Sequence, residues 1–107
     1  MNLLAGKTAI ITGGSRGIGK GIVEAFAAQG CHVAFTYNSS AESAEALAAA
    51  LSTATTQVKA YKSNAAVMSD CDMLIEAVLS DFETIDILIN NAGITKDNLL
   101  MRETKSY

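Results

Sequence analysis

The octapeptide Thr12-Gly13-Gly14-Ser15-Arg16-Gly17-Ile18-Gly19 stands between two segments of opposite character. Before it, residues 7–12 (KTAIIT) form a strand-length run rich in β-branched side chains. After it, Ile18, Ile22, Val23, Phe26 and Ala27 recur at helical spacing until Gly30, which sits where a helix stop belongs. Strand, glycine turn and helix in that order form the setting a phosphate-binding turn requires. Gly13 lets the chain turn sharply, and Gly17 or Gly19 removes a side chain where a pyrophosphate or a facing strand must come close. The helix start then presents free N–H donors and the positive end of its dipole. The competing expectation is a plain tight turn between a strand and a helix, and a glycine repeat without this setting would not exceed it.

The pattern continues downstream. Residues 32–37 (HVAFTY) are expected to form a second strand, and Ser39-x-x-Glu42 has the form of a capping box before an alanine-rich helix running to about Leu51. A third strand is expected at 58–62, and Ser69-x-x-Asp72 resembles another helix start. Leu74, Ala77, Val78 and Phe82 then repeat at three and four, ending near Glu83. Residues 85–89 (IDILI) form a nearly unbroken apolar run, as a central parallel strand should. The order is βαβαβαβ, which implies an α/β fold with a parallel sheet and right-handed crossovers. A dinucleotide-type strand order of 3-2-1-4 is expected, with the first two helices on one face and the third on the other. That leaves a crevice beyond the carboxyl ends of strands 1 and 4.

Asn90-Asn91-Ala92-Gly93 follows directly on strand 4 and so reaches the same crevice as the glycine turn. Asparagine offers both a donor and an acceptor, and Gly93 permits close approach. Alone, this tetrapeptide would more often be a turn; two segments converging on one crevice point to a ligand. Folds of this kind that prefer NAD place an acid about 20 residues after the glycines, at the end of strand 2, to bind the ribose 2′-hydroxyl. Here that place reads Thr36-Tyr37-Asn38-Ser39-Ser40. Nothing there would repel a 2′-phosphate, and Arg16 offers a permanently charged fork to one, so NADP(H) is the expected cofactor.

Composition narrows the alternatives. In 107 residues, half are hydrophobic and 18% charged, which suits one domain with a buried core and not a disordered chain. A net charge of −3 with its eight basic residues dispersed gives no footprint for nucleic acid. Cys31 and Cys71 lack disulfide or metal-ligand spacing, so reduced core thiols and no metal are expected. The amino terminus has no signal-peptide pattern, and no apolar run approaches the roughly 20 residues of a membrane span, so a cytoplasmic location is expected.

TGGSRGIG at 12–19 together with NNAG at 90–93 resembles the short-chain dehydrogenase/reductase family. The segment 94–102 (ITKDNLLMR) is similar to the stretch after NNAG in the 3-oxoacyl-[acyl-carrier-protein] reductases, and the likeness covers roughly residues 3–102. The resemblance implies a partial dinucleotide-binding domain over 1–107, with the later strands of the full fold outside it. It implies that Gly13, Gly14, Ser15, Arg16 and Ile18 contact the pyrophosphate and adenosine end, and that Asn38 meets the 2′-phosphate region. Asn64 and Ala65 would meet the adenine, Asn91 the nicotinamide-side ribose, and Gly93 the crevice beside it. Asn64 departs from the Asp that relatives often carry there. The family reduces carbonyls with a Ser and a Tyr-x-x-x-Lys pair that lie further along, and none has a counterpart here; Lys105 and Tyr107 are wrongly spaced and too early. The implied partners are NADP(H), an acyl-carrier-protein thioester and, for the full-length enzyme, a homotetramer. These residues alone are therefore expected to hold cofactor without catalysis; the alternative is a non-catalytic truncated fragment with at most nucleotide binding or self-association.

Overall fold

Ala9, Ile10 and Ile11 are completely buried, and they mark the centre of the sheet. In a computed structural model that describes residues 3–14, 17–64 and 67–91, they belong to β1 (Thr8–Ile11). This is followed by α1 (Gly17–Ala28), β2 (His32–Tyr37), α2 (Ala41–Leu51), β3 (Val58–Lys62), α3 (Met68–Phe82) and β4 (Ile87–Ile89). The four strands form one sheet in the order β3-β2-β1-β4. All pairings are parallel: Ile10 lies opposite Ala34 in β2 and Leu88 in β4, and Phe35 lies opposite Ala60 in β3. This is the expected order 3-2-1-4, with helices alternating between strands.

The period-two alternation of a strand divides the core into two layers. Ala9, Ile11, Val33, Phe35 and Val58 point to one face, where Val23 of α1 and Ala44 and Ala48 of α2 cover them. Ile10 and Ala34 point to the other, against Leu74, Ile75 and Val78 of α3. The third helix therefore does change faces. Small residues on α2 allow that helix to lie close to the sheet, while α3 reaches its face with branched side chains. A surface clamp also ties α3 to β3, since Asp81 accepts hydrogen bonds from Lys59 Nζ at 2.7 Å and from Tyr61 Oη at 2.6 Å.

Helix ends depart from the sequence expectation at two places. The box Ser39-x-x-Glu42 does not form; Ser40 is the N-cap of α2, and its side chain makes no capping bond. The start expected at Ser69 lies earlier, with Val67 as N-cap and Met68 as the first helical residue. The carboxylate of Asp70 instead reaches back to accept the backbone N–H of Asn64 at 2.9 Å. The helix stops behave as expected in kind: Gly30 after α1 has φ +82°, and Glu83 after α3 adopts a left-handed φ of 73°. Strand β4 is shorter than expected. Asp86 lies before it, donating its N–H to Thr8 O at 2.8 Å and accepting Thr8 N–H at 2.9 Å.

Both cysteines are buried, as expected of core thiols. Burial pushes the Cys31 thiol up to about 11, and the charge of Asp86 adds to the rise. Burial also raises the Tyr61 phenol, reinforced by its hydrogen bond to Asp81, while the bonds from Lys59 and Tyr61 hold Asp81 low. Among the described residues, no helix is long and apolar enough to cross a membrane, and no cluster of His, Cys, Asp and Glu could hold a metal.

Candidate dinucleotide site at the strand ends

The carboxyl ends of β1 and β4 are adjacent because these strands pair in register. Thr12 leaves β1 buried, donates its N–H to Ile89 O at 3.0 Å, and donates its hydroxyl to Asn90 Oδ1 at 3.0 Å. Asn91 Nδ2 then donates to Gly13 O at 3.1 Å. Two segments 78 positions apart in sequence are thus joined through side chains at the mouth of the crevice.

Each glycine of the turn has its own reason. Gly13 has φ +67°, a conformation that glycine adopts without strain. A Cβ on Gly14 would stand 2.7 Å from Phe35 Cβ and 2.8 Å from Val23 Cγ2, so its absence lets the turn lie on β2 and α1. A Cβ on Gly19 would overlap the carbonyl oxygen of Gly13 and approach Asn91 Nδ2 at 2.7 Å. Gly19 therefore serves the packing of α1 beneath the turn. Gly17, the first residue of α1, has φ +63°, and among the described residues no atom stands within 4 Å of its Cβ position. That helix has no acidic residue in its first turn.

The expected site residues fall into four groups. Gly13 and Asn91 are joined by the bond above, and Gly14 adjoins Gly13 in the turn. Asn38 follows β2 and Asn64 follows β3; both are exposed, at the same end of the sheet, and not on the glycine turn. Ile18, at the start of α1, is 79% exposed. Ser15, Arg16, Ala65 and Gly93 lie outside the described residues. A hollow of about 150 Å³ on the other side of the β3 end is lined by Tyr61, Lys62, Asp70, Met73, Leu74 and Ala77, none of them in the turn.

Two participants were not anticipated. Thr36 accepts the Gly13 N–H on its hydroxyl at 2.9 Å and the Gly14 N–H on its carbonyl at 3.0 Å. Asp70 fixes the backbone at Asn64. In the sequence Thr36 is one β-branched residue of a strand, and Asp70 one acid in a first helical turn, so neither carries a distinguishing signal.

A parallel sheet of order 3-2-1-4 with a glycine turn at the point where the order reverses defines a dinucleotide-binding fold of Rossmann type. The chain belongs to the short-chain dehydrogenase family, whose model matches residues 7–106. It is 43% identical over 96 residues to a 3-oxoacyl-[acyl-carrier-protein] reductase, FabG, of Staphylococcus epidermidis, covering 90% of this chain and 39% of the relative. It is 41% identical over 102 residues to a 3-oxoacyl-[acyl-carrier-protein] reductase of Synechocystis, covering 95% and 41%. The chain thus spans about two fifths of the length of the curated relatives it matches. Among solved structures, it resembles a short-chain dehydrogenase from Burkholderia cenocepacia in complex with NADP, with TM-score 0.81 and 42% identity over 87% of this chain and 38% of that one. It also resembles a blue fluorescent protein from a metagenomic library in complex with NADPH, with TM-score 0.80 and 38% identity over 88% and 38%.

Proposed function

We propose that residues 1–107 form a partial dinucleotide-binding domain that holds NADP(H) for a 3-oxoacyl-[acyl-carrier-protein] reductase-like oxidoreductase of fatty acid biosynthesis. The observation that carries this is the joining of Gly13 to Asn91 and of Thr12 to Asn90 around a crevice at the strand ends. The head of α1 suits a pyrophosphate, because the first amides of a helix lack intrahelical partners and favour an anion, and its first turn carries no acidic residue. Ser15, Arg16 and Ile18 would flank the phosphates with Gly13 and Gly14 shaping the turn. Asn38 would face the 2′-phosphate, Asn64 and Ala65 the adenine, and Asn91 and Gly93 the nicotinamide side. The β2 end reads Thr36-Tyr37-Asn38, with no acid to repel that phosphate, which favours NADP(H) over NAD(H).

When bound, the cofactor supplies a hydride to a carbonyl. The residues here bind and orient it; the proton donor of the family's chemistry has no counterpart among them. The acyl-carrier-protein thioester, the homotetramer and the cytoplasmic setting belong to this proposal for the whole enzyme. The test is a titration of the purified chain with NADPH and NADH, followed by an acetoacetyl-thioester reduction assay. NADPH should bind more tightly than NADH, without turnover. No binding at millimolar cofactor would refute the site, and turnover would refute the restriction to binding.

A further inference from the structure

We propose that Thr36 is the positioning residue that sets the glycine turn, so that Gly13 and Gly14 serve the cofactor by their shape and not by their amides. This rests on the cofactor reading above. Thr36 is 4% exposed, one position before the end of β2. Its hydroxyl oxygen accepts the Gly13 N–H at 2.9 Å, and its carbonyl accepts the Gly14 N–H at 3.0 Å. Each amide has one proton, and both are committed to β2 inside the fold.

Gly13 is thereby held on two sides. Asn91 donates to its carbonyl from the β4 end at 3.1 Å, and Thr36 takes its N–H from the β2 end. Those two bonds define the left-handed backbone at φ +67° on which the turn depends. The Gly13 and Gly14 amides are turned into the sheet and do not donate to a pyrophosphate, whereas the amides of the first turn of α1 can.

The variants Thr36→Val and Thr36→Ser separate this role from simple packing. Valine keeps the branched shape and strand preference but removes the acceptor; serine keeps the acceptor. In the cofactor-free chain, amide hydrogen exchange at Gly13 should be slow in the wild type and in Thr36→Ser, and about tenfold faster or more in Thr36→Val. NADPH and NADH should both bind about tenfold more weakly to Thr36→Val, by similar factors, because the pyrophosphate is common to them. Asn38→Ala, in contrast, should weaken NADPH alone. A folded Thr36→Val with unchanged Gly13 exchange, or with NADPH affinity within about twofold of wild type, would overturn the proposal. If Thr36→Val does not fold, Thr36→Ser decides: retained Gly13 protection and affinity support the hydroxyl's role, and loss of either overturns it. A wild-type chain that binds neither dinucleotide would instead fail the cofactor reading, while the exchange result still judges whether Thr36 sets the turn.

Discussion

Gly19 and Gly21 stand in the same helix, yet their substitution should have opposite effects. A Cβ at Gly19 would run into the backbone oxygen of Gly13, which the turn cannot yield without releasing Asn91. Gly19→Ala should therefore destabilise the fold by about 2–3 kcal/mol. A Cβ at Gly21 meets nothing within 4 Å, so Gly21→Ala should stabilise it by about 0.5–1 kcal/mol through helix propensity. Urea unfolding of the two variants checks both signs. Cys31 gives a pH dependence. Its folded-state pKa of about 11 is above its ordinary 9.0, so its contribution is fully present below about pH 9 and is lost as pH rises through about 11. Stability measured between pH 8 and 11 should fall, and Cys31→Ala should lessen the slope; a slope unchanged by that substitution would remove Cys31 as its cause. At this scale the sequence showed that glycines were needed in the turn but not which task each performs. Gly19 turned out to pack beneath the turn while no described atom stands within 4 Å of the Gly17 Cβ position, a distinction that depends on contacts with Gly13 and Asn91 far away in the chain or across the turn.

Among the elements, strands and helix bodies were legible because their apolar periods are long and regular, while the starts of α2 and α3 were not. Ser39 and Ser69 have the right chemistry for caps, but the backbone enters α2 at Ser40 and α3 at Val67. The entry point is fixed by where β2 and β3 release the chain, which local pattern does not contain. Since Ser40 makes no side-chain cap bond, Ser40→Ala should change stability by less than about 0.5 kcal/mol, below the usual loss for a working N-cap. Ser52 is different. Its hydroxyl lies 2.9 Å from Ala48 O and accepts the Val58 N–H at 3.0 Å, joining the end of α2 to the start of β3. Ser52→Ala should cost about 1 kcal/mol. Thermal denaturation of the pair should rank them in that order, and equal losses would contradict the bonding described.

For the whole molecule, the strand order is legible in the sequence because three crossovers and a right-handed rule leave few arrangements, and the glycine turn selects one of them. The two-layer core follows from the same alternation that places Ile10 against α3 and Ile11 against α1 and α2. The candidate site was legible where motifs converge, at Gly13 and Asn91, whose bond the fold forms, and not at Thr36, a buried strand residue that accepts the Gly13 N–H. The assignment of Asn38 and Asn64 to a cofactor depends on their sharing the carboxyl edge of the sheet with that turn. The most direct measurement is a titration of the isotope-labelled chain with NADP+, following backbone amide shifts residue by residue. Large shifts should gather at Gly17, Ile18 and Gly19, at Asn38 and Asn64, and at Asn91. No shifts at millimolar NADP+, or shifts confined to the opposite, amino-terminal edge around His32 and Gln57, would contradict the account.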